Sequence, residues 1–135
     1  MNRILAIGLL ALSLGGCASF NEKIAAISGF AVTQSQLDIA QNSYDGTSLV
    51  ALHRYAMLPR CAAGQKFTVP APCHNAALLK SWRAVDITIA TNFDKTQQAI
   101  TSGNNTGAVA AWNLLNQALT TAASIAEQSG IKSII

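Results

Sequence analysis

Charge is the first thing this 135-residue chain is short of. Nine Lys and Arg stand against six Asp and Glu, a formal net charge of +3. The charges are dispersed singly, so no basic stripe exists that could track a phosphate backbone, and nucleic acid is not an expected partner. Histidine is scarcer still, with only His53 and His74. No Gly-x-Ser-x-Gly, no His-Glu-x-x-His and no glycine-rich phosphate loop occurs. Asp86 and Asp94 fall on one expected helix, but eight residues put ~12 Å of rise between them, too far for the close carboxylate pair of a retaining glycosidase. Cys73-His74 is only the tail of a Cys-x-x-Cys-His haem attachment. The N-terminal apolar run, Ile4 to Leu14, is eleven residues broken by Gly8 and Ser13, well short of the ~20 a spanning helix needs. There is no internal repeat and no low-complexity segment. These absences remove the common enzymatic and nucleic-acid readings, and no enzyme activity is expected.

What is present begins at the N-terminus. Met1-Asn2-Arg3 gives a short basic start, Ile4 to Leu14 an apolar stretch, and Leu14-Gly15-Gly16-Cys17 closes it with small residues before a cysteine. These are the parts of a secretory signal. The alternative, an uncleaved anchor, has too few apolar residues and two glycines at its end, which favour an extended, protease-accessible segment. With the cysteine at the junction, the segment resembles a bacterial lipoprotein signal, Leu14, Gly15, Gly16 and Cys17 matching the lipobox. The resemblance implies that residues 1–16 are removed and that Cys17 becomes the first residue, carrying a diacylglycerol on its thiol and commonly an acyl chain on its amine. No other cofactor is expected. Two or more chains give stable anchoring, each buried methylene adding ~0.8 kcal/mol. Ala18-Ser19 follows the cysteine where an inner-membrane protein usually has Asp, which favours the outer membrane, facing the periplasm.

With Cys17 assigned to lipid, Cys61 and Cys73 remain as an even pair in an oxidising compartment, and a disulfide between them is expected. Closing a loop of this size contributes about 3 kcal/mol in the chain-entropy model. The rivals are free thiols, an intermolecular bond, and a metal pair that lacks further ligands at useful spacing.

The mature chain is long enough for one small core. Residues 17–32 read as a tether with the makings of a short helix around Ile24, Ala25 and Ile27, capped by Asn21 and ended by Gly29. The domain proper spans 33–135. Leu37, Ala40, Tyr44, Ser48, Ala51, Tyr55 and Leu58 recur every three or four residues, one face of a helix from Thr33 or Ser35 to Pro59. Ile39, Leu49, Val50 and Leu52 widen its stripe. Gly46 is the weak point, at ~1 kcal/mol relative to alanine, and marks a bend or a division in two. Pro59 to Cys73 reads as a loop, with Gly64, Pro70 and Pro72 breaking helix, and Phe67 and Val69 folding back onto the bundle. The next helix spans about Asn75 to Thr101, with Leu78, Trp82, Val85, Ile89, Phe93 and Ile100 near one face. Val85 to Ile89 alternates like a strand, but the helical pattern runs on unbroken to either side. Ser102 to Gly107 reads as a turn. A last helix covers roughly Ala108 to Gln128, with Val109, Trp112, Leu115 or Leu119, Ala122 and Ala126 inward. Gly130 ends it, and Ile131, Ile134 and Ile135 form an apolar tail expected to pack over the bundle end.

The expected fold is therefore all-α: a small antiparallel three-helix bundle after a cleaved signal peptide, with a disulfide-stapled loop between its first two long helices. His53 reads as a boundary residue. Its alternative is a haem or metal carrier, pairing His53 with Met57 or with His74, which otherwise caps the second helix or sits on the surface. Trp82, Trp112, Tyr44 and Tyr55 fall on or beside apolar stripes and read as core; a partly exposed cluster of them would instead be a binding surface. The expected role is a lipid-anchored, non-enzymatic envelope protein, a binding or structural component that meets an envelope protein partner. In overall build, Leu58-Pro59-Arg60-Cys61 to Cys73 after a long helix is similar to small lipoproteins of proteobacteria and their prophages. That similarity implies, as an alternative, a phage-derived envelope function such as superinfection exclusion or a lysis accessory; the absence of a proline-rich periplasmic stretch argues against the lysis role.

Overall fold

The computed structural model describes residues 31–65 and 73–131. The signal, Cys17 and most of the tether, together with Phe67, Val69, Ile134 and Ile135, lie outside the described residues. Within them no strand forms, and three helical segments account for the fold: α1 (Gln34–Tyr44) running through a π-helical turn (Asp45–Leu49) into α2 (Val50–Met57), then α3 (Ala76–Thr101), then α4 (Asn105–Ser129).

Each helical segment starts on a side-chain cap. Thr33 and Gln36 form a reciprocal capping box: the Thr33 N–H donates to Gln36 Oε1 (2.9 Å), and the Gln36 N–H to Thr33 Oγ1 (3.4 Å). Val32 before the cap and Leu37 in the first full turn occupy the positions of a hydrophobic staple, and both are buried in the same core cluster. Asn75 caps α3, its Oδ1 accepting from the N–H groups of Ala77 and Leu78. Asn104 caps α4 by accepting from the Gly107 N–H, so this helix opens three residues earlier than its apolar pattern predicts. It ends on Gly130 in the left-handed region (φ 66°), the conformation a helix C-terminus commonly takes and glycine adopts without a Cβ penalty.

The π turn falls where Gly46 marks the weak point. Here the Thr47 hydroxyl donates back to the Ser43 carbonyl (2.6 Å), and the Asp45 N–H is shared between the Gln41 and Asn42 carbonyls. A π turn accommodates one extra residue, and each residue advances an α-helix by ~100°, so the buried face changes direction across it. Before the turn, Leu37, Ala40 and Tyr44 pack into one core cluster with Ile89, Phe93, Trp112 and Leu115. After it, Ala51, Leu52 and Tyr55 pack into a second with Leu79, Trp82 and Ile125. Leu49 and Val85 touch both clusters. Ile39 and Val50, expected to widen the inward stripe, are instead 60% and 41% exposed.

Partners on α3 descend in number as α1 and α2 ascend. Gln34 exchanges a pair of amide hydrogen bonds with Gln97 (2.7 Å each), Tyr44 reaches Asp86 and Phe93, and Tyr55 reaches Trp82 and the Asn75 N–H. Between α3 and α4, joined by Ser102, Gly103 and Asn104, lies the most extensive helix contact. Ala108, Ala111, Ala118 and Ala122 are all buried on α4, and small side chains there let the backbones approach. Two polar residues of α3, Asn92 and Thr96, are buried with them. Both bond along their own helix, Asn92 Nδ2 to the Thr88 carbonyl (2.8 Å) and Thr96 Oγ1 to the Asn92 carbonyl (2.7 Å).

The connection between α2 and α3 is closed at its base. Cys61 and Cys73 are disulfide-bonded with Cα atoms 4.9 Å apart. Beside them Arg60 and His74 form an isolated parallel bridge, with the His74 N–H donating to the Pro59 carbonyl (2.8 Å) and the Cys61 N–H to the His74 carbonyl (3.0 Å).

Candidate functional site

The four large aromatics do not form a surface. Trp82, Trp112, Tyr44 and Tyr55 are all buried, so the binding-surface alternative is corrected in favour of core. The reason is geometric: each lies on the inward stripe of its helix, Tyr44 and Trp112 in the first core cluster, Tyr55 and Trp82 in the second. The indole N–H groups of Trp82 and Trp112 have no hydrogen-bond partner among the described residues, so both rings are held by packing rather than by polar contacts. Tyr55 stacks at a tilt on Trp82 (centroids 5.9 Å apart) and accepts the Asn75 N–H on its hydroxyl (2.8 Å).

His74 is also accounted for structurally. Its Nδ1 lies 2.6 Å from the Leu58 carbonyl, which can only accept, so Nδ1 carries the proton and donates. The ring meets Tyr55 edge-on at 6.1 Å. Neither a cap nor a free surface residue, it fastens the loop base while its neighbour Asn75 caps the helix.

The remaining candidates converge on a groove of about 470 Å³ between α2 and α3. From α2 come Leu52, His53, Ala56 and Met57; from α3 come Arg83, Asp86 and Ile87. Spacings of three and four residues place each set on one side of its helix. Leu52 is buried and belongs to the second core cluster, so the floor of the groove is the core itself. Met57 and Ile87 stand out on opposite rims, 86% and 67% exposed. His53 is exposed and shares the rim with Met57, but His74 does not line the groove. Among the described residues no group of three or more His, Cys, Asp or Glu is placed to hold a metal ion.

Asp86 is the fixed charge of this groove. Its Oδ1 accepts from the Tyr44 hydroxyl at 2.7 Å. Burial, then the hydrogen bond to Asp86, then the negative charges of Asp86 and Asp45 hold the Tyr44 phenol protonated far above its usual range. The carboxylate is thereby anchored from α1 while still lining the groove. No carboxylate pairs with Arg83 among the described residues. An apolar floor, two apolar rims, one anchored carboxylate and one guanidinium without a carboxylate can hold a side chain or helix face with matching apolar and charged groups.

Sequence reasoning passed over Arg83 and Ile87, and it weighed Asp86 only as a catalytic carboxylate. A signal was there in Ile87, the middle member of the strand-like alternation from Val85 to Ile89. Once the stretch is helical, Ile87 has no place on the inward face and must stand in solvent. A second groove, of about 580 Å³ near the α3–α4 turn, is lined by groups such as Gln98, Ser102, Asn104 and Gly107, with Leu114 at its edge; it lacks the paired apolar rims and opposite charges of the first.

No protein-family model, curated protein or solved structure matches the chain.

Proposed function

We propose that this chain is a lipid-anchored, non-enzymatic component of the bacterial cell envelope, a small antiparallel three-helix bundle that acts by binding or by structure. Cys17 carries the acyl chains, and the domain faces the periplasm, most consistently from the outer membrane given Ala18-Ser19 after the lipobox. The observation that carries the reading is the closed Cys61–Cys73 bond. It accounts for two of three cysteines in the way an oxidising compartment favours, and leaves the lipobox cysteine alone. The descending order of partners on α3 supports the antiparallel arrangement, and the α2–α3 groove supplies a face on which binding can occur. No helix among the described residues is long and apolar enough to cross a membrane, so membrane attachment in this reading rests on the acyl chains. Anchoring concentrates a weakly binding domain at one surface without adding a contact.

The test is the mass of the mature protein from membranes, non-reduced and reduced, beside a Cys17→Ser variant. The expected result is an acylated chain beginning at Cys17, a gain of about 2 Da on reduction from the two thiol hydrogens, and loss of membrane attachment in the variant. An unmodified chain beginning at Met1 would overturn the proposal.

A further inference from the structure

The α2–α3 groove has the makings of a surface that matches itself, and we infer that its occupant is a second copy of this chain. Arg83 and Asp86 lie one turn apart on α3, about 4.5 Å in rise, and both line the groove. A uniformly acidic or basic partner would satisfy one of them and leave the other facing a like charge. A two-fold axis passing beside the groove satisfies both, setting Arg83 of each copy against Asp86 of the other. The positions are prepared for this: Arg83 has no carboxylate partner among the described residues, and Asp86, held through Oδ1 by Tyr44, is fixed in place to receive it. The apolar parts match in the same way. Met57 is an unbranched, adaptable side chain standing 86% exposed. Across the axis it meets the second copy's groove between Leu52, Ala56 and Ile87. Val50, seven residues earlier on α2 and also exposed, extends the apolar edge along the same side.

The geometry of association rests on the proposed anchor. Two copies rising from one membrane stand with their helices parallel, which is what a two-fold axis along the bundle requires, and it brings the two Met57 side chains to the same height. A single groove is a small contact, of the size class that stays weak between free molecules. Confinement to one surface raises its effective concentration.

The experiment uses the full chain in isolated membranes, carrying Met57→Cys. With Cys61 and Cys73 bonded and Cys17 acylated, the new thiol is the only free one. A short bis-maleimide is expected to yield a covalent dimer at a level well above that of Ile39→Cys, an exposed α1 position that does not line the groove. Arg83→Glu in the Met57→Cys chain is expected to lower the yield severalfold. Equal yields at positions 57 and 39, linkage of position 57 to other proteins only, or a yield indifferent to Arg83→Glu would each overturn the inference. The mass of the same sample separates the two proposals: an acylated chain that stays monomeric sinks self-association alone, whereas an unacylated one sinks the anchor.

Discussion

Replacing Tyr44 by Phe removes one hydroxyl and leaves the ring in the core, which makes it the cleanest probe of how α1 is fastened to α3. The hydroxyl donates to the Asp86 carboxylate at 2.7 Å. Hydrogen bonds to charged groups contribute about 1.5–3 kcal/mol. Because Asp86 is only half-buried, water competes for its carboxylate and the cost at neutral pH is set near the low end, about 1–2 kcal/mol. A second, independent consequence appears in alkali. In the unfolded chain the phenol loses its proton near its ordinary pKa of 10.0, whereas in the folded chain burial and Asp86 keep it protonated well beyond that. The folded state therefore holds one more proton than the unfolded state once pH passes 10, and stability falls as pH rises, by about 1.4 kcal/mol per unit. Between pH 8 and pH 11.5 this amounts to about 2 kcal/mol. The Tyr44→Phe variant has no such proton, while every other titrating group is common to both proteins and cancels in the difference. Urea unfolding followed by far-UV ellipticity at both pH values should show the native protein ahead at pH 8 and the two nearly level at pH 11.5. Stabilities that decline in parallel would refute the claim that the folded phenol stays protonated. An unchanged stability at pH 8 would refute the claim that its bond to Asp86 holds the helices together.

Gly46 does not have the positive φ seen at Gly64, Gly103 and Gly130, and a Cβ built on it meets nothing within 4 Å. Gly46→Ala should therefore raise stability by about 0.5–1 kcal/mol in thermal or urea unfolding; a loss instead would mean that the π turn depends on glycine. Removing the staple with Cys61→Ser and Cys73→Ser together should cost about 2–4 kcal/mol, read as a lower melting temperature, and reduction of the native protein should reproduce it.

Much of the fold was legible because it is governed by local rules. Asn75 to Thr101 reads as a helix, and the structure caps it at Asn75 and ends it at Thr101; Gly130 closes α4 as a left-handed glycine should. The cysteine pair followed from counting once Cys17 was set aside. Gly46 could be picked out as a weak point, but not the consequence of an extra residue there, because periodicity assumes a constant angle per residue. Ile39 and Val50 read as inward on apolarity alone, although Ile39 stands ~200° from Leu37 and Val50 ~100° from Ala51 around their helices. Asn92 and Thr96 escaped notice because polarity normally means exposure; the Thr96 hydroxyl and the Asn92 Nδ2 are satisfied by carbonyls of their own helix, while Asn92 Oδ1 is buried without a partner among the described residues. The start of α4 was misplaced because Asn104, Asn105 and Gly107 look like a turn until Asn104 is seen to cap. The groove was the least legible feature. It exists only where two helices from separate parts of the chain meet, so Met57 and Arg83 carry no sequence mark that joins them.

The contact between Gln34 and Gln97 fixes the end at which the chain enters the bundle: it is the end of the α3–α4 turn. The disulfide and the His74 clasp lie beyond the opposite end of α3, a helix of 26 residues and so about 39 Å long. The bundle thus works as a spacer, setting the stapled end roughly four nanometres from the point of entry. At physiological ionic strength electrostatic influence fades over ~8 Å, several times less than that span. Arg60, beside the disulfide, is therefore electrically out of touch with charges at the α3–α4 turn, and the two ends of the bundle present independent electrostatic environments.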